Sequence, residues 1–91
     1  MTETAEARLK RMAMRSWRRG TKEMDLILGP WADAHLAKLD PARLATYELL
    51  LAENDQDLMA WIFGQAQPPE RIAPLLGEIA AYARSRLSAQ G

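Results

Sequence analysis

Few residues of this chain have the type and spacing that covalent chemistry needs. A serine or threonine nucleophile requires a base beside its hydroxyl, and the only histidine is His35, on an apolar stripe with Trp31. A lone histidine in that setting reads as a packed or rim residue rather than a catalytic base. Glu53, Asp55 and Asp57 alternate as the first ligands of a calcium loop do. A loop opening at Glu53 would need glycine at its sixth position and glutamate at its twelfth, where the chain has Leu58 and Gly64. The acids read better as caps of a helix N-terminus, with Asp55 as the N-cap. There is no cysteine, which excludes disulfides, thiolate zinc sites and cysteine nucleophiles. No glycine-rich phosphate loop is present either. Catalytic residues and metal ligands are therefore expected to be absent.

The remaining chemistry is electrostatic, and it concentrates at Arg18-Arg19-Gly20-Thr21-Lys22-Glu23-Met24-Asp25. From Arg8 to Lys22 there are seven Lys/Arg and no Asp/Glu, and the first acid after the run is Glu23. Gly20 reads as a left-handed stop at the end of one helix. Thr21 can cap the next, with Glu23 in its first turn, where a carboxylate suits the macrodipole. Two helices should meet at Gly20 and display opposite charges at one corner. The bland alternative is an Arg19–Glu23 pair across the corner, worth only ~0.2–1 kcal/mol if exposed, beside a solvated arginine face. A nucleic-acid reading fits less well. The basic helix precedes the turn, whereas a recognition helix follows it, and Glu23, Asp25 and Asp33 would repel phosphates.

Five helical segments must position this corner. Residues 1–5 are expected to fray. From about Glu6 to Arg19, Leu9, Met12, Ala13, Ser16 and Trp17 share one face, while Arg8, Arg11, Arg15 and Arg18 form a stripe opposite. Met24, Ile27, Leu28, Trp31 and His35 give a second amphipathic helix, which Gly29-Pro30 should kink or break. Asp40-Pro41 restarts the chain as N-cap and first helical residue, followed by Leu44, Tyr47, Leu50 and Leu51. A short helix carrying Leu58, Trp61 and Ile62 stops near Gly64, and Trp61 is expected in the core. After Gln67-Pro68-Pro69, a last helix should run from Glu70 to about Leu87, with Pro74 in its first turn and residues 88–91 frayed. No segment alternates as a strand does. The expectation is an all-α, five-helix bundle forming a single domain over 1–91.

Composition agrees with that. Ninety-one residues make one domain with one modest core. Net charge is zero, but Asp40–Glu70 holds six acids against the single Arg43, so the charge is dipolar. No apolar run approaches a membrane span, and the acidic Met1–Glu6 lacks the features of a secretory signal. Arg8–Arg19 imitates a mitochondrial presequence, but removing it would delete a helix the core needs. A cytoplasmic location is expected.

Two motifs add a resemblance. Arg19-Gly20-Thr21-Lys22-Glu23 is an R-G-x-x-E element, and downstream Leu49-Leu50 precedes Asp55-x-Asp57-Leu58-x-x-Trp61, a D-x-D-L-x-x-W element. Their order and spacing, over roughly Met14 to Tyr82, resemble the small succinate dehydrogenase assembly factors, the flavinators also called SdhE. The resemblance implies a five-helix bundle that binds the flavoprotein subunit of succinate dehydrogenase, with the fumarate reductase flavoprotein as a second possible client. It implies promotion of covalent FAD attachment to a histidine of that subunit, by positioning rather than by a reacting group of its own. Such a protein is not an enzyme, binds no cofactor tightly, acts on the FAD of its partner, and is a monomer when free. Arg19, Gly20 and Glu23 would form the contact surface, with Arg15, Arg18 and Asp25 beside them. The alternative is a small helical nucleic-acid-binding or antitoxin-type protein.

Overall fold

Thr4 opens the first helix, its hydroxyl accepting the Ala7 amide at 3.0 Å, and α1 runs Ala5–Trp17 with Glu6 in its first turn. The computed structural model describes residues 3–90, the side chains of 87–90 excepted. The expected fraying of residues 1, 2 and 91 lies outside the described residues, whereas Thr4 and Ala5 open α1 and the backbone of residues 88–90 continues α5, against the expected fraying of both. Thr21 caps α2 (Lys22–His35) as expected, accepting the Met24 amide at 3.3 Å. A single 3-10 turn, Leu36–Lys38, follows. Asp40 then caps α3 (Pro41–Leu51), with Pro41 leading the helix.

The fourth helix, α4 (Asp55–Ile62), is capped by Asn54, whose side chain accepts the Asp57 amide at 2.8 Å. The expectation of Asp55 as cap was one residue late, and that difference frees Asp55 for another task. The last helix, α5 (Ala73–Gln90), begins three residues beyond Glu70, after a turn in which the Ile72 amide reaches Pro69 O. The five α-helices form one all-α bundle. α1 packs on α2 and α3, and α5 closes against α2, α3 and α4.

Met12, Met24, Leu28, Trp31, Tyr47, Leu50, Leu58 and Ile79 are the fully buried centre. Ser16 is buried with them. Its hydroxyl donates to Met12 O at 2.8 Å, so the Tyr47 hydroxyl donates to Ser16 Oγ. Burial pushes the Tyr47 phenol up to about 12. The three tryptophans divide the work unevenly. Trp31 is 2% exposed, Trp61 only packs against the core from its edge, and Trp17 is 40% exposed. The core expectation for Trp61 thus holds in part, and the central tryptophan is Trp31.

Gly29-Pro30 does not interrupt α2, which continues to His35. Pro30 cannot donate to Leu26 O, the acceptor four residues back. The Arg86 guanidinium turns toward that oxygen instead, at 3.4 Å. Buried packing on both sides of the glycine holds the helix together, with Leu28, Gly29, Trp31 and Ala32 all interior.

Candidate functional site

The corner between α1 and α2 is built from both ends of the chain's first half. α1 stops at Trp17, two residues earlier than its periodicity suggests, and Arg18 has left the helical conformation. The Arg19 amide is then caught by Asp25 Oδ1 at 2.6 Å, which ties the turn to the first turn of α2.

Arg19 itself points inward. Its Nε donates to Asp55 Oδ1 at 2.7 Å, its Nη1 to Leu51 O at 2.8 Å and its Nη2 to Glu53 O at 2.6 Å. The two side chains of this ion pair are only 10% and 14% exposed. The carbonyls of residues 51 and 53 belong to the end of α3 and the turn beyond it. There, helix carbonyls lack intrahelical partners and the macrodipole is negative. The planar guanidinium fork meets both needs at once.

The other Asp55 oxygen, Oδ2, accepts the Gly20 amide. This explains the glycine differently from the sequence argument. Gly20 is not left-handed: among the described residues only Gly64 has positive φ, at 76°. A Cβ on Gly20 would instead lie 2.7 Å from Asp55 Oδ2. A side chain there would have to push the Asp55 carboxylate off the Gly20 amide, so glycine is what lets the two meet. The two motifs, separated by most of α2 and all of α3, are one clamp.

The arginine stripe behind the corner is less bare than composition suggests. Arg8 and Arg11 both reach Glu48 on α3, each at 2.7 Å, and Arg11 also pairs with Glu3 at 2.9 Å. Arg15 Nη2 donates to Leu51 O at 3.2 Å. The stripe therefore stitches α1 to α3, and the expectation of an uncompensated face is corrected. Glu48 and Asp55 are the residues sequence reasoning left out of the site. The signal was available: Glu48 is the only acid within α3, and the aspartate of the second motif needed a partner.

Hydrogen bonds from Arg11 and then Arg8 hold the Glu48 carboxyl below the usual carboxylate range. A depressed carboxylate stabilises the fold above its unfolded value of about 4.3 and loses that contribution as pH falls through the folded value. With side chains about one-third exposed, solvent screens the network and leaves it a small contribution. Glu48→Gln is thus expected to melt a few degrees below wild type at neutral pH. The two melting curves should converge as pH falls below the depressed folded value. A gap that persists there, measured by circular dichroism across pH, would contradict the ionic origin.

Of the six residues predicted for the site, Arg15, Arg19 and Asp25 are half-buried and used inside the protein. Arg18, Gly20 and Glu23 are exposed. Arg18 and Glu23 have no side-chain hydrogen bond or ion pair among the described residues. The alternative Arg19–Glu23 pair does not form. Among the described residues no three His, Cys, Asp or Glu groups gather to hold a metal, and no helix is long and apolar enough to cross a membrane.

Comparison with known proteins gives one consistent answer. Residues 10–83 match the family described as flavinator of succinate dehydrogenase. A mitochondrial succinate dehydrogenase assembly factor 2 of Schizosaccharomyces pombe is 34% identical over 86 residues, which cover 92% of this chain and 62% of the relative. The protein of the same name from Dictyostelium discoideum is 39% identical over 63 residues, 69% of this chain and 45% of its own. The FAD assembly factor SdhE of Acetobacter pasteurianus is 31% identical over 81 residues, 88% and 74% of the two chains. The chain spans about half to three-fifths of the length of the first two.

Proposed function

The chain belongs to the family of succinate dehydrogenase flavinators, and we propose that it binds the flavoprotein subunit of that enzyme and promotes covalent attachment of its FAD. The surface that makes the contact is the α1–α2 corner, with Arg18, the Gly20 backbone and Glu23 facing the partner. Arg19, Asp25, Asp55 and Arg15 hold that surface from behind. The observation that carries this reading is the combination of a tightly tied corner with two exposed, unsatisfied charges of opposite sign. A preorganised surface loses little freedom when a partner docks. Its charges orient the encounter.

The protein supplies position, not a reacting group. The FAD and the histidine that receives it belong to the partner, and a helper that holds the two in attack geometry removes much of the entropic barrier. No cofactor need stay on this chain, and we place its action in the cytoplasm with the maturing flavoprotein.

The test is Glu23→Ala. Glu23 lies in the first turn of α2, so its loss removes only ~0.3–1 kcal/mol of dipole stabilisation. The helical circular-dichroism spectrum should survive. Covalent flavin, read as fluorescence of the denatured flavoprotein from cells carrying only this variant, should fall about ten-fold or more, the effect of losing a charge that orients the contact. Normal covalent flavin at normal protein level would remove the corner from the reaction.

A further inference from the structure

We infer that the docking surface extends beyond the corner over an apolar centre made of Met14, Trp17 and Leu26. It receives an apolar knob on the flavoprotein that is flanked by charges of both signs. The inference rests on the function proposed above and names residues that neither motif contains.

The three side chains are 51%, 40% and 51% exposed, respectively. They are large apolar groups left in water on the two helices that bury Met12, Met24, Leu28 and Trp31. Trp17 is the informative one. A Cβ at position 29 would overlap its ring atoms, so the indole rests directly on the α2 backbone where Gly29 leaves room. Its Nε1 donates to Asp33 Oδ2 at 3.2 Å. The indole is therefore fixed in place and still half open, neither core nor loose surface.

Helix spacing assembles the rest. Leu26 stands three residues before Gly29 and Asp33 four after it, so both share its side of α2 and flank the indole. Glu23 is one turn before Leu26 on the same side. On α1, Met14 lies three residues before Trp17. The row from Glu23 through Leu26 and Trp17 to Asp33 runs along eleven residues of helix, about 15 Å. That fits within the ~800 Å² that one partner contributes to a standard interface.

The chemistry of the row selects its occupant. An apolar centre with a polar rim is the anatomy of a protein–protein contact. Tryptophan is among the side chains that dominate such contacts, most of all when held rigid beforehand. Glu23 at one end of the row, Asp33 at the other and Arg18 at the corner give the rim both signs, which complements a protein surface. A nucleic acid would meet repulsion from both carboxylates. Gly29 thus has a docking consequence: it lays the indole on the outside of the bundle.

The experiment measures the affinity of purified wild type, Glu23→Ala, Trp17→Ala and Leu26→Ala for the purified succinate dehydrogenase flavoprotein subunit. Circular dichroism and sedimentation are run on each. Trp17→Ala is expected to bind about 10–30-fold more weakly and Leu26→Ala about ten-fold, with unchanged helical spectra. Leu26→Ala keeps the test decisive if Trp17→Ala loosens the fold. Should Glu23→Ala weaken binding while both apolar variants bind like wild type, the extension is overturned and the corner stands. Should wild type fail to bind the flavoprotein, the proposed function falls and takes this inference with it. Wild-type dimers that become monomers with Trp17→Ala would assign the patch to a second copy. Tight binding of an oligonucleotide that both variants abolish would assign it to nucleic acid. Either result overturns the inference.

Discussion

Arg19→Ala is expected to lower the melting temperature by about 10–25 °C, far more than an arginine at a docking corner would if it were simply exposed. The side chain is nearly buried and spends its donors on Asp55 and on two carbonyls at the end of α3. Removing one member of a buried pair strands the other, at a cost of about 3–5 kcal/mol. Total stability of a domain this size is only ~5–15 kcal/mol. Arg18→Ala supplies the contrast, because an exposed side chain without a partner changes stability by no more than about 0.5 kcal/mol. Calorimetry of the two neighbours tests the clamp directly. Equal melting temperatures would mean that Arg19 is not the tie described above. A loss of flavinylation in Arg19→Ala would therefore report a disordered corner and not a missing contact, which is why Glu23 carries the functional test.

Trp31→Ala should have the other large effect. Its ring is 2% exposed, stacks on His35 at 4.9 Å between centroids and leans on Tyr47 at 5.1 Å. Truncation loses the apolar burial and leaves a cavity in the centre of the core, for about 3–5 kcal/mol. Trp61→Ala, at the edge of the core, should fall in the ordinary range of about 0.5–3 kcal/mol. Urea midpoints at constant slope separate the two cases. If Trp61→Ala proves the more damaging, the division between central and peripheral tryptophans is misplaced.

How much of this was legible in the sequence depends on the range of the interaction. Thr21 and Asp40 were readable as caps because a cap acts on amides two or three residues away. The apolar faces of α2 and α5 were readable because helical periodicity is local too. The inward turn of Arg19 was not, since its partners lie more than thirty positions along the chain. The same blindness made the arginine stripe look bare when Glu48 covers much of it. At Pro30 the break did not occur for a related reason: its local penalty is real, but burial of its neighbours keeps the helix continuous. Gly20 was singled out as a left-handed stop, which it is not. Local reasoning offers backbone freedom as the reason for a glycine, and here the reason is a distant carboxylate.

The clamp also constrains how such a chain can change over generations. Any side chain placed first at Gly20 collides with Asp55. Any shortening of Asp55 made first strands Arg19 and the Gly20 amide. Each substitution made alone disturbs the clamp, so positions 35 apart should change together more often than separately. In related chains the number of residues between the two motifs should likewise vary only where the loops between helices can absorb the difference. The helices themselves set the distance the chain must travel before it returns to close the corner.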